Sequence, residues 1–272
     1  MVRKPSLPAA LVLALLAASG ATMLAAPSRT PAPPRRADGR KSTVILELFT
    51  SQGCSSCPPA DHLLSALHHE QQTDGTVIPL AYHVDYWNHL GWSDPFSSAS
   101  WSRRQNDYAR VMRSSQVYTP QLVINGTAQM VGSDEGRVRR EIARQQQQVD
   151  RGMVMLDRVQ NESNAVNVDL HAILDAADAA GHTAEVMVVL FENDVTTAVA
   201  SGENSGRRLT NDGIVRWQTP VLKIRGGAGE GKTSVRIPLQ ASWRAGHLGV
   251  AAFIQDSSSY AIYAADSRYL QP

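Results

Sequence analysis

Cysteine is nearly absent: Cys54 and Cys57 are the only two in 272 residues. Two thiols cannot build a multi-bridge scaffold, and they supply only half of a four-thiolate zinc site. Neither sign of charge is in excess, with 26 Lys+Arg against 25 Asp+Glu. That balance excludes a strongly basic nucleic-acid binder and an acidic tail protein. No GxSxG elbow, HExxH helix or GxGxxG fingerprint occurs. The common hydrolase, metalloprotease and dehydrogenase readings fall away with them. There is no repeat of the kind that marks a solenoid. Beyond residue 26, no run is long and apolar enough to span a bilayer.

What is present begins with an export signal. Arg3 and Lys4 form a positive n-region, and Leu7 to Ala26 is almost wholly apolar. Ser19-Gly20-Ala21 and Leu24-Ala25-Ala26 are candidate cleavage sites, so residues 1–26 read as a secretory signal peptide. The alternative is an uncleaved anchor, since the stretch approaches the ~20 residues that cross a bilayer. Residues 27–42 carry Pro27, Pro31, Pro33 and Pro34 without apolar periodicity and read as an extended linker. Either way the folded part is expected outside the cytoplasm, periplasmic or secreted.

The next hundred residues alternate strand and helix signals. Val44–Phe49 is a nearly continuous apolar run suited to a buried strand. Helical spacing follows over Ala60–Glu70, a strand over Val77–Val84, and a polar helix over Ser97–Met112 with Trp101, Tyr108, Val111 and Met112 inward. Leu122–Ile124, Asn125-Gly126 and Ala128–Val131 read as a hairpin, and Ser133-Asp134-Glu135 caps a helix over Gly136–Gln148. The order β-α-β-α-β-β-α predicts an α/β layer. After Asp150 the signals become short strands: 153–159, 165–170, 185–191, 214–222, 234–239, 248–254 and 260–263. Asn, Gly, Asp and Ser turns separate them, which predicts a β-sandwich over 153–272.

Cys54-Ser55-Ser56-Cys57 lies between the first strand and the first helix, and Pro58-Pro59 follow at once. Proline is tolerated only in a helix's first turn, so the helix must start close to Cys57. Cys54 then stands near free amide groups and the positive end of the helix dipole. A thiolate there is favoured, and its pKa can fall from ~8.5 into the ~3.5–7.5 range. Two intervening residues let the second sulfur close a disulfide on the first, so one thiol can attack and the other resolve. A static disulfide in an oxidising compartment and metal binding remain the alternatives.

Strand, Cys-x-x-Cys, helix, then Thr119-Pro120 before a hairpin and a last helix resembles the thioredoxin superfamily over about residues 43–148. That resemblance implies a cis Thr119-Pro120 bond beside the disulfide, with Pro120 shaping a substrate-receiving strand and Thr119 touching the sulfurs. The segments ELFTSQGCSSCPPAD, AYHVDYWNHLGWSDPF, RQNDYA, VYTPQLVINGTAQMVGSD and GENSGRRLTNDGIVR are also similar to an uncharacterised family of secreted bacterial thioredoxin-like proteins, a domain of unknown function. The family implies an architecture but no substrate. The fold expected is therefore an α/β thioredoxin-like domain over 43–150 followed by an all-β sandwich domain over 153–272. The chain departs from thioredoxins in its Ser-Ser dipeptide, in Gly53 where they carry Trp, and in a long aromatic insert from Asp85 to Trp101.

Glu47 sits on the buried first strand, seven residues before Cys54, where the superfamily has a buried acid six residues before. A buried carboxylate must be paired or neutralised. Glu47 is read either as a proton acceptor for Cys57 or as half of an ion pair. His83 and Asp85 end the second strand, where sites form in open sheets. With Tyr86, Trp87, His89 and Trp92 they form either a substrate groove, with an imidazole for a metal, or a packed aromatic loop. The polar run Glu203–Arg208 reads as a solvated turn rather than a cover over the thiols, and His68-His69 as a solvated helix face.

The function expected is thiol–disulfide exchange on an extracytoplasmic protein, with Cys54 as nucleophile and Cys57 as resolving thiol. No organic cofactor is needed, because the cysteines carry the electrons. The partner is a protein thiol or disulfide; neither nucleic acid nor, beyond the export signal, membrane is expected. Cu(I) handling by both thiolates and a histidine such as His83 is one alternative. A non-catalytic binding module with a static disulfide is the other.

Overall fold

The computed structural model describes residues 1–2, 41–175, 183–225 and 229–270. The expected signal peptide and linker fall almost wholly outside them. The first strand, β1 (Val44–Thr50), is buried along its whole length. Its side chains alternate between two covered faces, as the two-residue period of a strand requires. Val44, Leu46 and Leu48 pack under α1 (Pro58–Asp74) and α3 (Glu135–Gln146), meeting Leu63, Leu64, Leu67, Val138 and Ile142. Ile45 and Phe49 point the other way, into a core closed by Tyr108 of α2 (Ala99–Val111).

On one side β1 pairs in parallel with β2 (Val77–His83). On the other it pairs antiparallel with β3 (Gln121–Ile124), which turns into β4 (Ala128–Val131). These elements follow the boundaries read from periodicity to within a few residues. The second half of the chain does not form a domain of its own. β10 (Ile214–Arg225) runs beside β2, with Ile214 opposite Ala81, and continues the sheet through β7 (Thr183–Glu192), β12 (Leu248–Asp256) and β13 (Ile262–Tyr269). The result is one eight-stranded mixed sheet in the order β13-β12-β7-β10-β2-β1-β3-β4.

This overturns the expectation of an α/β thioredoxin-like domain followed by an all-β sandwich domain. The described chain is mostly β, with three α-helices on a sheet to which both halves contribute. A second sheet of three strands, β5 (Gly152–Asn161), β6 (Ala165–Leu174) and β11 (Gly229–Pro238), packs on the distal strands through Leu156, Val168 and Leu170 against Val186, Val188 and Val250. The short hairpin of β8 (Val195–Ala198) and β9 (Arg208–Asn211) stands apart from both sheets. Among the described residues, no helix is long and apolar enough to cross a membrane.

Candidate functional site

Cys54 and Cys57 are joined in a disulfide at the junction of β1 and α1, with their Cα atoms 5.4 Å apart. Pro58 is the first residue of α1, as the paired prolines require. The prolines have a second effect that the dipole argument missed. Pro58 and Pro59 have no N–H, and the amides of Ala60 and Asp61 both donate to the Cys57 carbonyl, at 2.9 and 3.1 Å. The first turn thus offers few free amides to a sulfur. Hydroxyl groups take that place. Thr119 Oγ1 donates to Cys54 Sγ at 3.3 Å, and Ser56 Oγ lies 3.4 Å from the same sulfur.

The Thr119 hydroxyl is itself oriented. An indole N–H can only donate. Trp87 Nε1 donates to Thr119 Oγ1 at 2.8 Å, so the threonine oxygen is occupied and its proton turns to Cys54 Sγ or to the neighbouring Tyr86 hydroxyl. Trp87 reaches this position because residue 53 has no side chain: a Cβ on Gly53 would stand 3.3 Å from Trp87 Cβ. The Thr119-Pro120 peptide bond is cis, and Pro120 is buried at the head of β3.

Both sulfurs are covered: Cys54 and Cys57 are each 0% exposed, while Ser55 and Ser56 face solvent. One cover is the segment 199–207 that links β8 to β9. Asn204 Nδ2 donates to the carbonyls of Gln52 and Cys54, both at 2.9 Å, and the Ser55 amide donates to Glu203 Oε2 at 3.0 Å. Hydrogen bonds from Ser55 hold the Glu203 carboxyl below its ordinary pKa. The run read as a solvated turn is therefore a strap over the disulfide. Sequence alone could not show this, because Asn204 lies 150 residues from its partner Cys54.

Below the disulfide loop lies a buried polar network. Gln52 N donates to Asp94 Oδ2 at 2.8 Å, and His83 Nδ1 lies 2.7 Å from the same oxygen. Gln52 Nε2 donates to Asn211 at 3.1 Å, and Thr50 Oγ1 to Asp61 at 2.8 Å. Burial works against charge on His83, but Asp94 and then Asp61 outweigh it and raise its pKa. Burial would likewise raise Asp94; His83 and the amides of Gln52 and Phe96 outweigh it and hold that carboxyl low. For Asp61 burial wins over the pull of His83, and the pKa rises to about 7. Asp61 and Asp94 were not singled out in the sequence; the one available signal was an acid four residues after Cys57.

Of the residues expected to line a groove, Trp87 and Trp92 reach the disulfide loop, Trp92 by donating to Gln52 Oε1 at 3.3 Å. The Tyr86 hydroxyl donates to Gln105 and also meets the Thr119 hydroxyl, while Asp85 bonds Ser102 near the start of α2. Glu47 is placed on the face covered by α2. It is fully buried, held by Arg104 at 2.5 and 2.9 Å and by the Tyr108 hydroxyl. The ion-pair reading thus replaces the proton-acceptor reading. His68 is not solvated either: it is 2% exposed, edge-to-face with Tyr269. Among the described residues, no three of His, Cys, Asp and Glu are placed to share a metal ion, and His83 is committed to Asp94.

Residues 45–255 match the family described as "Protein of unknown function (DUF1223)". No curated protein matches the chain closely enough to count as a relative. Among solved structures, a protein from Agrobacterium tumefaciens is similar at 28% identity and a TM-score of 0.62, covering 85% of this chain and 96% of its own. HBP35 of Porphyromonas gingivalis, at 14% identity and a TM-score of 0.58, covers 86% of this chain and 77% of its own, a likeness of fold alone.

Proposed function

Because this chain belongs to the DUF1223 family, whose description carries no activity, we propose from its site that Cys54 and Cys57 carry out thiol–disulfide exchange with an extracytoplasmic protein. The observation that supports this most is the directed chain Trp87 → Thr119 → Cys54 Sγ, joined by Ser56. Two hydroxyls on one sulfur stabilise a thiolate at Cys54 and single it out as the nucleophile. The extracytoplasmic setting rests on Arg3, Lys4 and the apolar run to Ala26.

In the oxidising direction the disulfide seen here accepts two electrons. A partner thiolate attacks Cys54 Sγ, the Cys54–Cys57 bond breaks, and Cys57 leaves as a thiolate that takes a proton. The partner's second thiolate then attacks its own mixed-disulfide sulfur and releases Cys54. The partner ends as a disulfide, and the protein as a dithiol. In the reducing direction Cys54 attacks a partner disulfide and Cys57 resolves it.

A second reading, a structural staple, is favoured by one observation, the complete burial of both sulfurs. Trapping separates the two. Cys57→Ser is expected to accumulate mixed disulfides through Cys54, whereas Cys54→Ser accumulates none. Thr119→Val, which keeps the shape but not the hydroxyl, should raise the Cys54 thiol pKa by about one unit, read from the pH dependence of alkylation of the reduced protein. Full exchange activity in Cys54→Ser, or an unmoved Thr119→Val titration, would leave the staple standing.

A further inference from the structure

The strap over the disulfide has more to it than cover. Its side chains bond three polar groups of the disulfide loop's backbone: the carbonyls of Gln52 and Cys54, through Asn204 Nδ2, and the amide of Ser55, through Glu203. The strap is also anchored on the far side of the site. Ser201 Oγ donates to the Gly91 carbonyl at 2.5 Å, and Gly202 approaches the Trp92 backbone so closely that a Cβ there would meet Trp92 Cβ at 3.0 Å. Asn204 is itself 0% exposed, and its Oδ1 has no hydrogen-bond partner.

We infer that Asn204 and Glu203 determine specificity by standing in for a bound polypeptide, so that the site admits an extended peptide segment and discriminates against small-molecule thiols. The inference rests on the exchange reading above. With the strap seated both cysteines are fully covered, so a thiol needs an opening of the loop's surroundings to reach Cys54. Lifting the strap takes the side-chain donor from two buried carbonyls, leaving Cys54 only the Cys57 amide, and turns the exposed Ser55 amide to water; a buried carbonyl without its partner is costly. An extended backbone offers N–H and C=O groups in alternation and can replace all three bonds as it displaces the strap. A small thiol brings one sulfur and no such edge, so it reacts only in the rare moments when the strap is open.

The experiment uses the full-length oxidised protein and two reductants, dithiothreitol and a short unstructured peptide carrying one cysteine. Each thiolate attacks Cys54 Sγ and forms a mixed disulfide as Cys57 is released; with dithiothreitol the second thiol closes the reagent's ring and leaves both cysteines reduced. Rates are compared per mole of thiolate. The wild-type protein is expected to favour the peptide. Asn204→Ala should speed the dithiothreitol reaction by about tenfold, the effect of losing one or two hydrogen bonds, and erase the preference. Glu203→Gln, an exposed and milder change, should move both in the same direction by less. Dithiothreitol rates within about twofold of wild type in both variants would overturn the inference. So would a wild-type protein that reacts as readily with dithiothreitol as with the peptide. Trapping by Cys57→Ser fails separately, on the exchange reading and not on the strap.

Discussion

A carboxylic acid held neutral inside a protein titrates the fold along with itself, and Asp61 is such a group. It is 6% exposed, bonded by Thr50, and faced by His83 and Asp94, with Arg216 acting on His83. Its pKa of about 7 in the folded chain compares with 3.8 for the free side chain. Between those values the native state keeps a proton that the unfolded chain has lost, so stability falls as pH rises through the window. Below it the cost is absent, and above it the cost is complete, on the order of a few kcal/mol. The His83–Asp94 pair works differently at each end. The raised His83 pKa contributes stability below its ordinary 6.5 that is lost as pH rises through the folded value; the lowered Asp94 pKa contributes stability above 3.8 that is lost as pH falls. Asp61→Asn keeps an acceptor for Thr50 and removes the titrating oxygen. Urea unfolding should find the variant more stable than wild type at pH 8 and nearly equal at pH 4; an equal difference at both would reject the assignment. At this scale the sequence was readable where chemistry is local. Cys54, Cys57, Thr119 and Trp87 do meet, whereas Glu47 could be placed on a buried strand but not given its partner, because Arg104 is 57 residues away.

Elements were easier to find than to place. The apolar run Val186 to Phe191 marks a strand by composition, but a run without alternation does not say what covers each side. In β7, Val186, Val188 and Leu190 pack toward the three-stranded sheet, while Met187, Val189 and Phe191 pack toward α2 and β12. The run is continuous because both faces are buried, as for strands central to a layered fold. The buried stripe of α2 was harder to read: it contains Arg104 and Gln105 beside Tyr108 and Ala109. Arg104 is there to neutralise Glu47, and Gln105 to bond the Tyr118 carbonyl and Gln121. Polar residues on a core-facing stripe hide its helical period. The double burial of β7 gives a direct test. Val188→Ala and Val189→Ala each remove two methyl groups from opposite cores, and each should cost about 1–3 kcal/mol in denaturant unfolding. A strand with one solvated face would show that cost at only one of the two positions.

At the scale of the whole molecule, the change of character near Asp150 marks a change in connection and not the edge of a core. Helix-rich signals give way to hairpins there, and composition alone makes that resemble a boundary. Yet the core under α2 draws Ile45, Phe49, Leu80, Tyr82, Tyr108 and Val123 from the first half, and Met187, Val189, Phe191, Val215 and Phe253 from the second. The halves are also stitched by polar contacts, from Arg104 to Gln255, from Gln52 to Asn211, and from the Ile262 amide to the Asn125 carbonyl. Pairings of such sequence separation leave no local signature, so the shared sheet had to be seen. Its consequence for folding is specific. Residues 41–150 produced alone would bare the β2 edge that β10 pairs with and the part of the core under α2 that Met187, Val189, Phe191, Val215 and Phe253 fill, and would take Gln255 from Arg104, all strongly unfavourable. That fragment is expected to show no cooperative melt by circular dichroism. Mixing it with residues 151–272 should restore ordered signal, since each supplies the surface the other lacks. A sharp, independent transition in the isolated first fragment would mean that its sheet is complete without β10, and that the disulfide loop, the network beneath it and its strap belong to separable units.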